Sequence, residues 1–395
     1  MGEPDNDFLV LLPVKDMWRK RLKKGAEGLL MMFDIHSIGN TSPEFRKSVV
    51  TLDSLGYGCD YISERQLKEV KVANGCLVTK AGQRYKALVI PSAMTMDDSL
   101  RELLKPFKNF IVVGENDEEM ARYARPEQAR RELGLRVIRR SNDEGYHYFL
   151  ANLTNHDIDA HISLSTACEA ALWYDAMSGK VSKARFNNGL LHVALRSGES
   201  RILKTFISTP GGLLPNEENH SVAFDSLHIK KAWELKFIDS VPHSEQTFVL
   251  SEPRTWENLG ESFKTLMGTG VYTTSFKLKK AHLLSDIRIN LGDVRESARV
   301  YINDHLIGCA WAAPFVLDVP NEILVNGKNT LRIEVTNLPA NLISEYDRIS
   351  VPWRKMKEIN VVDINYKKTT YADWKPMPSG LNSAVFLEIS KQKDR

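Results

Sequence analysis

The sequence lacks several features that would define a class of function. No apolar run reaches about 18 residues, so no membrane-spanning helix is expected. The net charge of the 395 residues is only +3, which argues against nucleic acid or a membrane surface as partner. No dinucleotide fingerprint or P-loop is present. Neither a C-x-x-C pair nor a Cys/His cluster predicts a metal site, because the four cysteines are widely spaced: Cys59, Cys76, Cys168 and Cys309.

The first residues also lack the pattern of a secretory leader. MGEPDNDF is polar and acidic, without a basic region followed by an apolar one. We therefore expect a soluble chain, although an exported parent could carry a leader that a fragment lacks, and the localisation stays open. Hydrophobic residues make up 43% and charged residues 26%, an ordinary globular balance that at this length predicts two to four domains.

Residues 1–135 alternate short apolar runs with amphipathic stretches. Alternation of this kind, with continuously apolar strands, predicts a parallel sheet covered by helices, which we interpret as a flavodoxin-like α/β domain. The predicted strands are 8–13, 60–63, 87–91 and 110–114, and the predicted helices are 44–55, 64–70, 97–107 and one from residue 118.

The remaining sequence changes to strand periodicity. Six short strand-like runs between turn residues predict a small antiparallel β domain over 136–208. The turn-rich segment 209–224 is typical of a linker. Residues 225–395 alternate apolar and polar positions, which predicts a β-sandwich of the jelly-roll kind.

Turn signals inside this third region support the sandwich. Asn303-Asp304 separates the runs VYI and LIG as a hairpin turn, and Asn326-Gly327 precedes the strand LRIEV. The strings GTGVYTTSFKL and ARVYIND resemble the sugar-binding, galactose-binding-like domain of family 2 glycoside hydrolases, with Asp304 where that family usually has glycine. The resemblance implies a domain that often packs on a catalytic barrel.

A second resemblance spans nearly the whole chain. FDIHSIGNTSPEF, LDSLGYGCDYISERQL, YKALVIPSAMTM, RVIRRSNDEGYHYFLANLTN and ISVPWRKMKEINVVDINY follow one another in the order found after the barrel of family 106 α-L-rhamnosidases. The resemblance implies inversion at rhamnose by two carboxylates with help from calcium, all on an upstream barrel. It also implies a parent that is often exported to the periplasm or beyond the cell.

Candidate catalytic carboxylates are few. An inverting glycosidase needs two carboxyl groups about 6.5–9.5 Å apart in a cleft. The sequence offers Asp34, Glu64, Glu345 and Asp347, none of them in a series of eight strand–helix units. We expect each to be a surface or capping residue, so no catalytic residue is assigned.

The first region resembles the glutamine-amidotransferase-like accessory domains of several glycosidases. A working amidotransferase needs a nucleophilic cysteine on a strained turn after a strand. The segment after the third strand is Ser92-Ala93-Met94, and Cys59 is expected to precede a strand, so we expect no such activity. Asp34 and His36 follow an apolar run and are candidates for the rim of a neighbouring active site, because ligand sites gather at the carboxyl ends of parallel strands.

Trp311, Trp353 and Trp374 are the candidate carbohydrate-binding residues. Sugar rings present C–H faces that stack on aromatic rings, and their hydroxyls need polar partners such as Asn303. The alternative for each tryptophan is packing in the core or between domains.

These observations predict the non-catalytic C-terminal portion of a rhamnosidase-like glycoside hydrolase. Its partner would be a glycan or a catalytic barrel supplied upstream or by another chain. Two alternatives stay open: a free-standing carbohydrate-binding protein, and an intact hydrolase with a site at the strand ends of the first domain.

Overall fold

The computed structural model describes residues 2–22, 42–211, 215–216, 224–355 and 369–390. The chain folds into two compact units, Met1–Val222 and Ala223–Arg395. The strands of the first unit are β1 (Glu3–Pro4), β2 (Phe8–Leu11), β3 (Cys59–Ile62), β4 (Lys71–Ala73), β5 (Cys76–Val78), β6 (Arg84–Tyr85), β7 (Ala87–Ile90), β8 (Ile111–Val113), β9 (Arg136–Asn142), β10 (Gly145–Ala151), β11 (Ile158–Ile162), β12 (Ala170–Tyr174), β13 (Val181–Lys183), β14 (Phe186–Asn187), β15 (Leu190–Leu195) and β16 (Ser200–Phe206).

Four strands of this unit form a parallel sheet in the order β3-β2-β7-β8. All residues of β2 and β7 are buried, as continuously apolar central strands require when helices cover both faces. The helices of the unit are α1 (Val14–Leu22), α2 (Pro43–Ser54), α3 (Glu64–Leu67), α4 (Asp98–Leu104), α5 (Asp117–Met120) and α6 (Gln128–Arg131), with a 3₁₀ helix at Lys105–Phe110. The parallel sheet is thus observed, and the finer flavodoxin-like assignment stays a prediction.

Local signals set the helix boundaries. Gly56, with φ of +95°, follows the end of α2 as the sequence predicts. Ser63 forms a capping box with Gln66 at the start of α3, and the Asp97 carboxylate accepts from Leu100 N at 2.9 Å at the start of α4. Cys59 lies within β3 and not before it, because the parallel pairing with β2 begins at Phe8–Cys59.

A small antiparallel sheet of β4, β5 and β6 was not predicted from the sequence. Its first turn is Asn74-Gly75, with positive φ at both residues, the geometry of a tight hairpin. The Asn-Gly pair was the available signal.

The rest of the first unit is antiparallel. A six-stranded sheet of order β1-β9-β10-β16-β12-β13 and a three-stranded sheet of order β11-β15-β14 contribute side chains to one core. Tyr148, Leu191 and Leu203 lie at its centre and are fully buried. The six strands predicted from the sequence in this region are all present.

The second unit is a β-sandwich of two antiparallel sheets. Their orders are β19-β18-β20-β26-β23-β24 and β17-β28-β21-β25. The elements are β17 (Phe224–His228), β18 (Trp233–Val241), β19 (Thr247–Leu250), β20 (Met267–Leu278), β21 (Ile287–Asn290), β22 (Val294–Arg295), β23 (Ser297–Ile302), β24 (His305–Ala310), β25 (Val316–Val319), β26 (Gly327–Thr336), α7 (Ala340–Arg348), β27 (Gly380–Leu381) and β28 (Phe386–Ser390).

Both sheets bury one face, as their alternating sequences require. Trp256 and Tyr272 lie in this core, and the indole N–H of Trp256 donates to the Tyr272 hydroxyl at 2.7 Å. None of the described helices is long and apolar enough to cross a membrane.

Candidate functional site

The strand registers of the second unit bring several loops to one end of the sandwich. Leu291 N donates to Phe315 O at 2.9 Å, Asn382 N to Asp293 O at 2.9 Å, and Asp293 N to Ser383 Oγ at 2.7 Å. These bonds join the loops that follow β21 and β24 to the segment that precedes β28. We call this surface the aromatic end and define it as residues 291–296, 311–315, 337–355 and 369–385.

Trp311 lies at the aromatic end, directly after β24. Its side chain is 62% exposed, so it contributes little to the core. The strand before it ends at Ala310, which pairs with Ala298, and the strand after it starts at Val316, which pairs with Asn290. Trp311 therefore projects from a short connection whose two ends are fixed in opposite sheets.

Trp353 and Trp374 belong to one cluster with Tyr371 between them. The ring centroids of Tyr371 and Trp374 are 4.4 Å apart, and those of Trp353 and Tyr371 are 6.1 Å apart. Trp374 is 49% exposed, and the other two rings are half-buried. The three rings therefore pack on one another, and Trp374 is the exposed ring of the cluster on which a sugar ring can stack.

Asp347 holds the cluster together from the last turn of α7. Its Oδ1 accepts from Trp353 Nε1 at 2.7 Å, and its Oδ2 accepts from Tyr371 N and Arg354 Nη2, both at 2.8 Å. The Arg354 guanidinium also lies 4.7 Å from the Trp353 ring centroid. The backbone N–H of Tyr371, followed by the indole of Trp353, lowers the pKa of Asp347 below its ordinary value.

A second clamp ties the base of the same segment. Asn341 Nδ2 donates to Met377 O and its Oδ1 accepts from Met377 N, each at 2.8 Å. The Asn341 side chain thereby bonds both backbone polar groups of Met377. The first clamp is Asp347 with Tyr371, and the two clamps together hold the segment that carries the aromatic cluster. The sequence identified the tryptophans as candidates. It did not indicate Tyr371, Asn341 or the role of Asp347 in holding the rings, because these contacts join residues 6 to 36 positions apart.

Asn303 lies at the other end of the sandwich. Ala310, the last residue of β24, pairs with Ala298, so Trp311 lies level with Ser297 at the start of β23. Asn303 directly follows the other end of β23, six residues from Ser297, which is about 20 Å at the usual rise per residue. Its amide donates to Ile323 O and Asn329 Oδ1 and its oxygen accepts from Thr330 N, all at 2.8–2.9 Å. The structure thus gives Asn303 a turn role and does not bring it to Trp311.

The candidate carboxylates have structural partners. Glu64 pairs with Lys15 at 2.8 Å, and Glu345 forms a charged contact with Arg348 on its own helix. Glu345 and Asp347 are two residues apart on α7, a spacing that directs side chains to different faces. Asp34, like the rim candidate His36, lies outside the described residues.

The carboxyl end of the parallel sheet is crossed by an ion-pair network. Lys15, in the first turn of α1, contacts both Glu64 after β3 and Asp97 before α4, at 2.8 and 3.1 Å. Asp16 accepts from Thr95 N at 2.8 Å. Helix α1 is therefore fixed across the strand ends where parallel α/β sheets bind ligands.

Among the described residues, the carboxyl ends of the parallel strands carry no cysteine placed as an activated nucleophile. Ser92 follows β7, and its hydroxyl contacts Glu115 at 3.3 Å. Burial raises the pKa of the Cys59 thiol to about 11, so this cysteine stays protonated near neutral pH.

Calcium, which the family resemblance implies, finds no fitting ligand set in the described part of the chain. No group of three or more His, Cys, Asp or Glu side chains there is placed to hold a metal ion. We therefore derive no step through a metal.

No protein-family model matches the chain. A curated protein of Formosa agariphila named "putative beta-glucuronidase" is 30% identical over 181 residues, which covers 41% of this chain and 15% of that protein. The rhamnosidase of Novosphingobium sp. PP1Y superposes on 85% of this chain and 36% of its own, with 18% identity and a TM-score of 0.54. The beta-D-glucuronidase of Dictyoglomus thermophilum covers 44% of this chain and 29% of its own, with 17% identity and a TM-score of 0.31.

The chain thus has a glycoside hydrolase-like fold. It spans about a third of the length of the rhamnosidase and less than a sixth of the curated relative.

Proposed function

We propose that this chain is the non-catalytic portion of an α-L-rhamnosidase-like glycoside hydrolase that acts in glycan degradation. The observation that carries the proposal is the fold similarity to a rhamnosidase over 85% of this chain and 36% of the other. The described candidate carboxylates support it, because Glu64, Glu345 and Asp347 are each engaged in local contacts. A catalytic barrel, on another segment or another chain, would supply the acid and base.

We further propose that the aromatic end contacts carbohydrate. Trp311 and Trp374 offer exposed rings at one end of the sandwich, and Trp374 packs on Tyr371, which lies beside Trp353. Two clamps, Asp347 and Asn341, fix this aromatic cluster before any ligand arrives, which lowers the entropy lost on binding. Asn303 is not part of this proposed contact surface.

The test measures binding of rhamnose-containing oligosaccharides to the purified chain by calorimetry. Trp311→Ala and Trp374→Ala should each weaken binding about tenfold, roughly 1.4 kcal/mol, without lowering the melting temperature. Val249→Ala, which removes an exposed apolar side chain from the edge strand β19, is the matched control and should leave binding unchanged. A melting temperature lowered by several degrees with unchanged binding would instead assign the tryptophans to packing.

A free-standing carbohydrate-binding protein is the second candidate, favoured by the exposure of Trp311. The two differ in genomic context and in behaviour. An adjacent reading frame that encodes a barrel, and hydrolysis restored when that barrel is mixed with this chain, favour the split hydrolase. Tight glycan binding without any such partner favours the second candidate.

A further inference from the structure

The outer face of the six-stranded sheet in the first unit carries an uninterrupted apolar row. The Cα registers pair Phe149 with Ile138 and Ile202, and Tyr174 with Ile202 and Val181. These five residues therefore lie side by side across β9, β10, β16, β12 and β13. Residues directly opposite in a sheet point to the same face, so the row forms one surface.

Four residues of this row lie outside the buried clusters, and the fifth, Tyr174, packs against a small cluster of Ala170, Leu172 and Phe206 on the same face. The core of the unit uses the alternate residues of the same strands, such as Tyr148, Leu150 and Leu203. Ile138 is 61% exposed, Phe149 38% and Val181 39%. The solvent face of an antiparallel sheet is ordinarily polar, so a row of this kind across five strands marks a binding surface.

The next row on the same face is basic. It contains Arg140, His147, Lys204 and Lys183, with Leu172 between the two lysines. On the other side of the apolar row, Arg136 pairs in register with Ala151. Neither flanking row contains an aspartate or a glutamate.

In the described part of the chain, two carboxylates reach this face from neighbouring segments, and each already has a partner. Glu144, in the turn before β10, pairs with Lys204, and Asp53 of α2 pairs with Arg136. His147 is neutral near pH 7, because burial, followed by the charge of Lys204, lowers its pKa. Among the described residues, four basic side chains, Arg136, Arg140, Lys183 and Lys204, thus face two carboxylates at the margins of the apolar row.

The dimensions of the face suit a chain of sugar rings. Neighbouring strands are about 4.8 Å apart, so Phe149 and Tyr174, two strands apart, are separated by about 10 Å, and the row is about 19 Å long. That length accommodates several consecutive sugar rings, whose C–H faces stack on aromatic and aliphatic side chains. Acidic groups along one edge of such a chain would meet the basic row.

We propose that this face binds a linear glycan that carries carboxylate groups, with its rings along the apolar row and its carboxylates against the basic row. The inference rests on the proposed function, since it supplies that hydrolase portion with a second carbohydrate surface, and it names the substrate class as acidic. The charge of the flanking rows selects this ligand over a neutral glycan.

The experiment titrates the full chain with three acidic probes, oligogalacturonate, oligomannuronate and glucuronate-bearing xylan, and with cellohexaose as the neutral probe. At least one acidic probe should bind tenfold or more tightly than cellohexaose, and its affinity should fall when NaCl rises from 50 to 500 mM. Phe149→Ala and Lys183→Glu should each lower that affinity about tenfold. Val249→Ala, an exposed substitution in the other unit, should leave it unchanged.

Four results would overturn the proposal: no binding of any acidic probe, equal binding of cellohexaose, full affinity in both face variants, or a dimer that Ile138→Lys dissociates. The dimer would show that a second copy of the chain covers the face. Far-UV circular dichroism confirms that each variant is folded; Lys183→Glu changes only an exposed side chain and keeps the test valid should Phe149→Ala unfold. Hydrolysis by the chain itself would refute the proposed function and leave this binding test unaffected.

Discussion

Glu127 is a buried carboxylate with incomplete hydrogen bonding. Its Oε2 accepts from Ser165 Oγ at 2.5 Å, whereas Oε1 has no partner among the described residues. Arg139 lies 3.9 Å away but already pairs with Asp5 and Asp7 at 2.5 and 2.9 Å. Burial raises the pKa of Glu127 above its ordinary value, and burial does the same for Asp7.

A prediction follows for Glu127→Gln. A carboxylate whose pKa is raised by folding binds its proton more tightly in the folded state, so its contribution to stability falls as pH rises above about 4.5. The amide removes the buried charge and keeps an acceptor for Ser165. The variant should therefore melt about 2–4 °C above the wild type at pH 8, a gain of roughly 1 kcal/mol, with the difference fading toward pH 4.5.

Glu132→Gln is the matched control. Glu127 directly precedes helix α6, whereas Glu132 directly follows it and is exposed. It should show no pH-dependent difference. Equal melting temperatures of wild type and Glu127→Gln at pH 8 would contradict the account of this carboxylate.

Asn303 and Asp304 give a second prediction at this scale. Both have positive φ, +48° and +64°, in the hairpin turn between β23 and β24. Asp304→Gly should be neutral or stabilise by up to about 1 kcal/mol, since glycine adopts this conformation without strain. Asn303→Ala should destabilise by about 2–3 kcal/mol because several partners lose their hydrogen bonds, and glycan binding should not change. Denaturant titration measures both, and a larger loss in Asp304→Gly than in Asn303→Ala would contradict the turn assignment.

Among the elements, α7 and the described residues 349–355 and 369–377 form an arm that is closed by side-chain hydrogen bonds. Its two clamps are Asn341 with Met377 and Asp347 with Tyr371. Because the low pKa of Asp347 comes mainly from the Tyr371 N–H and the Trp353 indole, the charged clamp is retained above the ordinary pKa of 3.8 and is lost as pH falls below the lowered folded-state value.

Asp347→Ala should loosen this arm while the sandwich stays folded. Trp353 and Trp374 then become more solvated, which should shift tryptophan emission to the red and weaken the near-UV circular dichroism. Glu345→Ala is the control, because among the described residues its carboxylate bonds only with Arg348 of the same helix and with none of the three aromatic residues. Unchanged spectra in Asp347→Ala would show that the cluster does not depend on this carboxylate.

Periodicity predicts elements better than it predicts what joins them. The strands around Val89, Tyr148 and Ile333 are all where alternation or continuous burial indicates, because each pattern reflects one sheet face. The pairing of Trp353 with Tyr371 and the row through Phe149 depend on register and on contacts between distant segments. An Asn-Gly turn such as Asn74-Gly75 can be predicted from the sequence. Which residues lie side by side across a sheet cannot, because that depends on the register of each strand pair.

At the scale of the whole molecule, two compact units predict two unfolding transitions. Calorimetry should resolve one for Met1–Val222 and one for Ala223–Arg395. Glu127→Gln should move only the first transition and Asn303→Ala only the second, because each residue lies in one unit. A single transition shifted by both variants would mean that the units unfold cooperatively.

The three-module division, 1–135, 136–208 and 225–395 with a linker at 209–224, stays a prediction within this two-unit description. In the first unit, β1 joins the six-stranded sheet by pairing with β9, and Arg139 of β9 binds Asp5 and Asp7 next to the parallel sheet. The chain segment that opens the parallel sheet thus also completes the antiparallel one. No local periodicity could indicate this sharing, since the partners are 132 and 134 residues apart.

The most direct measurement is the turnover of an aryl α-L-rhamnoside by the purified chain. We expect no release of nitrophenol above the uncatalysed rate, with or without calcium, and release when a matching catalytic barrel is added. Turnover by the chain alone, abolished in Glu345→Gln or Asp347→Asn, would contradict it.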